Sequence, residues 1–165
     1  MPNSTPYPNP EPVRLRRATS ADIPRMREIE QSSETAAHWS ADQYDALFAA
    51  DGQERVALIA AEESVDTVIH GFLIARCLPG EWEIENVIVE GQYRQRGVGS
   101  FLVRELLQEA RTAGAVSVIL EVRESNRAAL QLYKNIGFKQ DGRRNNYYHD
   151  PLEDALLYRI KIAEL

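Results

Sequence analysis

The segment Gln92-Tyr93-Arg94-Gln95-Arg96-Gly97-Val98-Gly99-Ser100 carries the strongest chemical signal in the chain. It follows the apolar run Asn86-Val87-Ile88-Val89 and opens an amphipathic stretch with Val98, Phe101, Leu102 and Leu106 on one face. Strand, glycine turn and helix in that order make an anion cradle: backbone N–H groups converge, the helix N-terminus adds partial positive charge, and glycine admits a phosphate. Arg94 and Arg96 add formal charge. A phosphate loop of the Walker kind needs Gly-Lys-Ser/Thr, which is absent, and R-x-x-G-x-G is not the dinucleotide spacing G-x-G-x-x-G. The competing reading is an ordinary strand-to-helix turn whose glycines serve close packing.

A second constellation lies downstream, in Leu120-Glu121-Val122-Arg123-Glu124-Ser125-Asn126 and on to Phe138. Ser125 reads as the N-cap of a helix. Asn126 and Tyr133 are seven residues apart, which places them within about 20° of one helix face. Glu121 falls near the end of the preceding strand. A carboxylate can take a proton, a phenol can give one, and an amide can pin an amide-bearing ligand. Plainer roles stay open: Tyr133 as core, Glu121 as a surface strand residue, Asn126 as a second cap.

The elements that must position these groups follow from periodicity, in the order β-α-α-β-β-β-α-β-α-β-β. A strand is expected at Val13 to Arg17, then a helix capped by Thr19 or Ser20 with Ile23, Met26 and Ile29 on one face. Ser40 caps a second helix through Tyr44, Leu47 and Phe48. Strands follow at Arg55 to Ala61, Val68 to Arg76 and Glu81 to Val89, the last two forming a hairpin at Leu78-Pro79-Gly80. A long helix runs from Gly97 to Ala113, a strand from Val116 to Val122, and a helix from Ser125 to the closing Gly137. Two strands, near Phe138 to Gly142 and Ala155 to Ile162, complete an α/β fold on a mixed sheet.

The 165 residues amount to one ordinary domain. Five of the eight prolines fall within the first twelve residues, so residues 1–12 read as a flexible tail and 13–165 as the domain. The best apolar stretch, Val56 to Ala61, is far short of the roughly 20 residues of a membrane span. The N-terminus lacks the basic and apolar regions of a signal peptide. A net charge of -6 argues against a dedicated nucleic-acid binder. The single Cys77 excludes an internal disulfide and fits a reducing cytoplasm; it reads as an inert core thiol. His38, His70 and His149 lack metal-ligand spacing, so no metal site is expected.

Together the two constellations resemble the motifs of the GNAT acyl-CoA N-acyltransferases, most closely the bacterial ribosomal-protein alanine N-acetyltransferases, the RimI group. The resemblance runs from Val13 to Ile162. It is densest from Asn86 to Tyr148, where Arg-Gln-Arg-Gly-Val-Gly, Leu-Glu-Val-Arg-Glu-Ser-Asn, Leu-Tyr-Lys-Asn-Ile-Gly-Phe and Arg-Asn-Asn-Tyr-Tyr occur in family order.

The resemblance implies the GNAT fold: a mixed, mostly antiparallel seven-stranded sheet flanked by about four helices, with strands 4 and 5 splayed by a bulge. It implies pantetheine in that gap beside Val87, Ile88 and Val89, the Val89 N–H as oxyanion donor, and pyrophosphate on Gln95, Arg96, Gly97, Val98, Gly99 and Ser100. Asn126 matches the pantetheine-side asparagine, Glu121 the general base and Tyr133 the general acid. Glu83 and Glu85 on the fourth strand are rival bases. Arg144, Tyr147 and Tyr148 match a segment that walls the acceptor groove. Ala37-His38-Trp39-Ser40 matches a loop ending in Trp-Ser, with His38 where proline is usual, and offers Trp39 to the substrate.

The implied activity is direct acetyl transfer from acetyl-CoA, without a metal, to the N-terminal α-amine of a protein, ribosomal proteins among the candidates. The alternatives are a small-molecule amine or lysine as acceptor, and a non-catalytic acyl-CoA-binding module. A cytoplasmic monomer or weak dimer, with no nucleic-acid or membrane partner, is expected.

Overall fold

Apolar β-branched runs alternate with amphipathic helical runs along the chain, and the computed structural model, which describes residues 12–49 and 54–165, folds them in that order. The expected tail lies outside the described residues apart from Pro12. The elements are β1 (Val13–Arg17), α1 (Ile23–Gln31), α2 (Ala41–Ala46), β2 (Arg55–Glu62), β3 (Ile69–Leu78), β4 (Glu81–Val89), α3 (Val98–Thr112), β5 (Ser117–Arg123), α4 (Arg127–Ile136), β6 (Lys139–His149) and β7 (Leu152–Lys161). They build one seven-stranded sheet of order β1-β2-β3-β4-β5-β7-β6. Every neighbouring pair is antiparallel except β4 and β5.

That parallel pairing runs only from Glu81 opposite Ser117 to Ile84 opposite Leu120. The reason lies on the other side of β4. Ile74 of β3 pairs with Asn86 and Ala75 with Ile84, which leaves Glu85 as an extra, unpaired residue. A bulge of this kind bends its strand and sharpens the twist, so β4 parts from β5 beyond Ile84. It also exchanges faces. Before the bulge Trp82 and Ile84 belong to the core under α3; beyond it Val87 and Val89 face that side and Ile88 joins the opposite core.

The two cores lie on the two faces of the sheet. One packs Leu102, Val103 and Leu106 of α3 against Val118 and Leu120 of β5; the other packs Met26, Ile29 and Tyr44 against Ile59, Phe72 and Ile74. Full burial of each such side chain is worth about 1.5–3 kcal/mol.

Two boundaries depart from the sequence pattern. The second helix ends at Ala46, and Leu47 and Phe48 pack from the turn after it. The last two strands are longer than their apolar runs. β6 is an exposed edge strand through Asp141, Arg143 and Asn145, held by pairing to β7 and by Arg143 bonded to Asp154 and Glu124. Its register breaks between Arg144 and Tyr148, where Asn146 adopts φ +53° and its N–H donates to Asp154 at 2.8 Å.

Candidate active site

The turn after β4 is left-handed twice, at Gln95 (φ +59°) and Gly97 (φ +84°). Gln95 carries a side chain in a region that disfavours one; Gly97 does not, and it caps α3. The first backbone bond into α3 is Phe101 N–H to the Gly97 carbonyl, 2.9 Å, so the N–H groups of Val98, Gly99 and Ser100 have no acceptor within the helix. Arg96 is exposed beside them. This donor set fits a pyrophosphate. Arg94 does a different job: its Nε donates to the Val89 carbonyl at 3.0 Å, tying the turn to the end of β4. Gly99 has a packing reason of its own, because a Cβ there would stand 2.7 Å from Leu132 Cδ1 of α4.

The gap between β4 and β5 offers backbone groups in a definite pattern. The Glu90 N–H donates to the His70 carbonyl at 2.9 Å. Antiparallel alternation then turns the peptide groups of Ile88 and Asn86 toward β3, and those of Val89 and Val87 toward the gap. Val87 and Val89 therefore face the expected pantetheine path. Ile88 does not: its polar groups face Phe72 and its side chain is buried in the opposite core.

A cavity of about 210 Å³ fills the mouth of the gap. Glu121, Asn126, Tyr133, Tyr148, Glu85 and Val87 line it, and the loop from Ser33 to His38 supplies another wall. Asn126, not Ser125, is the N-cap of α4; its Oδ1 accepts from the Ala129 N–H at 3.2 Å. The Ser125 N–H instead donates to Glu153. Tyr133 packs edge-on against Phe138 at 5.6 Å, and burial, with a smaller contribution from Tyr148, raises its phenol above the ordinary range. The group stays protonated at any working pH.

Glu121 reaches the other face of β5 and meets the β6 hairpin. Arg144 Nε lies 2.8 Å from its Oε1. Its charge, ahead of burial, raises the pKa of the Tyr147 phenol, and Tyr147 stacks edge-on with Tyr148 at 5.2 Å. Arg123 covers the Tyr148 ring at 4.0 Å. Of the rival carboxylates, Glu85 is held by both oxygens on Arg55, at 2.7 and 2.9 Å. Burial, then the charges of Glu85 and Glu121, raise the pKa of Glu83, which lies outside the cavity lining.

Trp39 also lies outside that lining. Its ring packs beside Tyr44, 5.7 Å between centroids, and under Arg55. The pattern reading passed over Glu30, which is 2% exposed. The available signal was its place four residues after Met26, on the apolar face of α1. Among the described residues, no cluster of three or more His, Cys, Asp or Glu side chains is arranged to hold a metal ion. Among them, too, no helix is long and apolar enough to cross a membrane.

Two parallel strands thus part over a glycine turn and a helix N-terminus, on a seven-stranded mixed sheet flanked by helices. The Acetyltransferase (GNAT) family model matches residues 23–138, and the chain belongs to that family. It is an acetyl-CoA-dependent N-acetyltransferase. The [ribosomal protein bS18]-alanine N-acetyltransferase of Salmonella typhimurium is 31% identical over 147 residues, covering 88% of this chain and 95% of that one. The crystal structure of the ribosomal-protein-S18-alanine N-acetyltransferase from Escherichia coli superposes with a TM-score of 0.78 at 27% identity, over 91% of this chain and 94% of that one. Arabidopsis thaliana NAA60 in complex with acetyl-CoA shares the fold, with a TM-score of 0.82 at 18% identity over 92% and 99% of the two chains.

Proposed function

We propose that the enzyme acetylates the N-terminal α-amine of a protein, of the ribosomal-protein-alanine type. The observation that carries this reading is the contact between Glu121 and Arg144, 2.8 Å. It joins the carboxylate beside the gap to the Arg-x-x-Tyr-Tyr segment that the α-amine branch shares. Similarity to the bS18-alanine N-acetyltransferase over most of both chains supports it.

The chemistry suits that acceptor. The amine must arrive neutral, which costs about 1–1.5 kcal/mol for an α-amine at neutral pH and about 4–5 kcal/mol for lysine. Glu121 accepts the proton directly or through water. The nitrogen attacks the thioester carbonyl, whose oxygen gains negative charge that the Val89 N–H stabilises. The C–S bond breaks and Tyr133 supplies a proton to the departing sulfur. The N–H groups of Val98, Gly99 and Ser100 hold the pyrophosphate. Asn126 keeps Nδ2 for the pantetheine while its Oδ1 caps α4.

The test is thiol release from acetyl-CoA with hexapeptides beginning Ala, Ser or Met, against an acetyl-Ala peptide with an internal lysine. Turnover confined to free α-amines is expected. Preference for the lysine peptide or for small amines would replace this reading. Stoichiometric CoA binding without thiol release would point to a non-catalytic module.

A further inference from the structure

Glu30 closes the 33–39 loop at both ends. Its backbone carbonyl accepts the Ser33 N–H at 2.9 Å, and its Oε1 accepts the Trp39 N–H at 3.1 Å. The same oxygen accepts from Nδ2 of Asn86 at 3.0 Å. Asn86 is itself buried and is the residue that follows the β4 bulge. One carboxylate thus joins the end of α1, the far end of the loop and the strand at the point where it parts from β5.

This carboxylate is 2% exposed and is held by neutral donors. A buried charge so placed carries a desolvation penalty that an apolar residue on this face of α1 would avoid. The buried Tyr44 hydroxyl lies beside Glu30, whose charge and hydrogen-bonding contact raise the phenol's pKa after burial does. The loop is under local constraint, since His38, immediately before Trp39, sits at φ +52°. Ser33, Thr35, Ala36, Ala37 and His38 line the same cavity as Glu121.

We propose that Glu30 is a positioning residue for the acceptor: by tying the 33–39 loop to Asn86 it fixes the wall against which the acceptor end of the substrate is held. The inference rests on the acceptor entering the cavity that Glu121 lines. Glu30 touches neither substrate; it acts through Trp39 and Asn86.

The test compares Glu30→Gln with Glu30→Ala. Gln retains the one oxygen that makes both side-chain bonds, whereas Ala removes it. Ala should raise the KM for an Ala-initiated hexapeptide by about tenfold or more, as expected for losing hydrogen bonds to a charged group. Acetyl-CoA affinity, read by calorimetry, should stay within about twofold, because the glycine turn lies on other elements. Gln should restore the peptide KM to within about threefold of wild type. In a Trp82→Phe background Trp39 is the sole indole, and its emission should shift red with Ala and not with Gln.

An unchanged peptide KM in folded Glu30→Ala would overturn the proposal, as would a parallel loss of acetyl-CoA affinity. If Glu30→Ala does not fold, Asn86→Ala removes one of the two side-chain bonds from the other partner and should raise the same KM. If wild type turns over no α-amine peptide, the functional reading fails separately. Trp39 emission then decides alone whether Glu30 sets the loop, and an unshifted spectrum in the Ala variant rejects it.

Discussion

Arg144 Nε stands 2.8 Å from Glu121 Oε1, so the edge hairpin of the sheet reaches back across β7 to the carboxylate on β5. The Arg144 side chain is 55% exposed and that of Glu121 21%, and such a pair contributes little to stability, roughly 0–1 kcal/mol. Its effect should appear in turnover. Arg144→Ala should lower kcat/KM for an Ala-initiated peptide about tenfold, with acetyl-CoA affinity within about twofold and a melting temperature within about 2 °C of wild type. A rise in kcat/KM would instead make Arg144 a brake on Glu121.

Asn126 has two jobs that substitutions can separate. Its Oδ1 caps α4 through the Ala129 N–H, and its Nδ2 is the group proposed to meet pantetheine. Asn126→Asp keeps a capping oxygen and removes the amide donor. It should melt within about 2 °C of wild type and bind acetyl-CoA at least about fivefold more weakly. Asn126→Ala should lose about 1 kcal/mol of stability as well. If Asp binds acetyl-CoA as wild type does, Asn126 is a cap and nothing more.

The two turn glycines should fail differently. Gly97→Ala forces a side chain into φ +84° with open space around it, a backbone cost of about 1–2 kcal/mol that bears directly on the phosphate-binding N–H groups. Its main effect should be on acetyl-CoA affinity. Gly99→Ala places a methyl 2.7 Å from Leu132 Cδ1, so it should lower the melting temperature, and Leu132→Ala should recover much of the loss. Calorimetric titration and thermal melts of the two single variants and the double variant decide this. A Gly99→Ala defect that Leu132→Ala leaves untouched would return Gly99 to the phosphate site.

The order of the elements was legible because strands and helices here keep clean apolar periods. What periodicity hid was the bulge at Glu85. Trp82, Ile84, Asn86 and Ile88 are buried in unbroken alternation along β4, and nothing in that alternation says that the first two face α3 while Ile88 faces α1. The gap that positions the site is therefore invisible to pattern reading and came only from the resemblance. Ser125 and Asn126 are both good caps, and the choice between them falls to Glu153, a tertiary partner that takes the Ser125 N–H. The far half of β6, beyond the Gly142 where the sequence reading ended it, escaped because its residues are mostly polar, as an edge strand allows. Glu30 escaped because its i+4 place after Met26 marks only a buried position, and nothing in the sequence names the Trp39 and Asn86 donors that hold a carboxylate there.

Glu83 offers a pH test. Burial and the charges of Glu85 and Glu121 raise its pKa in the folded protein. A carboxylate with a raised folded pKa favours the native state below its unfolded pKa, and that contribution is lost as pH rises through the folded value. At neutral pH the ionised group therefore costs stability. Glu83→Gln should raise the melting temperature at pH 7.5 by roughly 1–3 °C, and the gain should vanish as the pH falls to about 4. A gain that persists undiminished at low pH would trace to packing. If Glu83→Gln also abolishes turnover while Glu121→Gln leaves it intact, the base belongs to β4.

Tyr133 separates core from chemistry most cleanly. Its ring belongs to the core beneath α3 and α4 and meets Phe138 edge-on at 5.6 Å. Tyr133→Phe keeps that contact and removes only the hydroxyl, so the melting temperature should move by less than about 2 °C. With the phenol pKa raised by burial, Tyr133 cannot account for any loss of rate on the alkaline side below about pH 10. As the proton donor it should set the rate of C–S cleavage. Tyr133→Phe should then lower kcat about 10²-fold or more while acetyl-CoA still binds. The loss should shrink with an acyl donor whose thiol is more acidic, because a sulfur that leaves readily needs less protonation. Both enzymes are compared on both donors at saturating peptide. Equal rates on acetyl-CoA would remove Tyr133 from the chemistry. A large loss of equal size on both donors would make it a positioning residue for the pantetheine, acting from the same wall of the gap without giving up its proton.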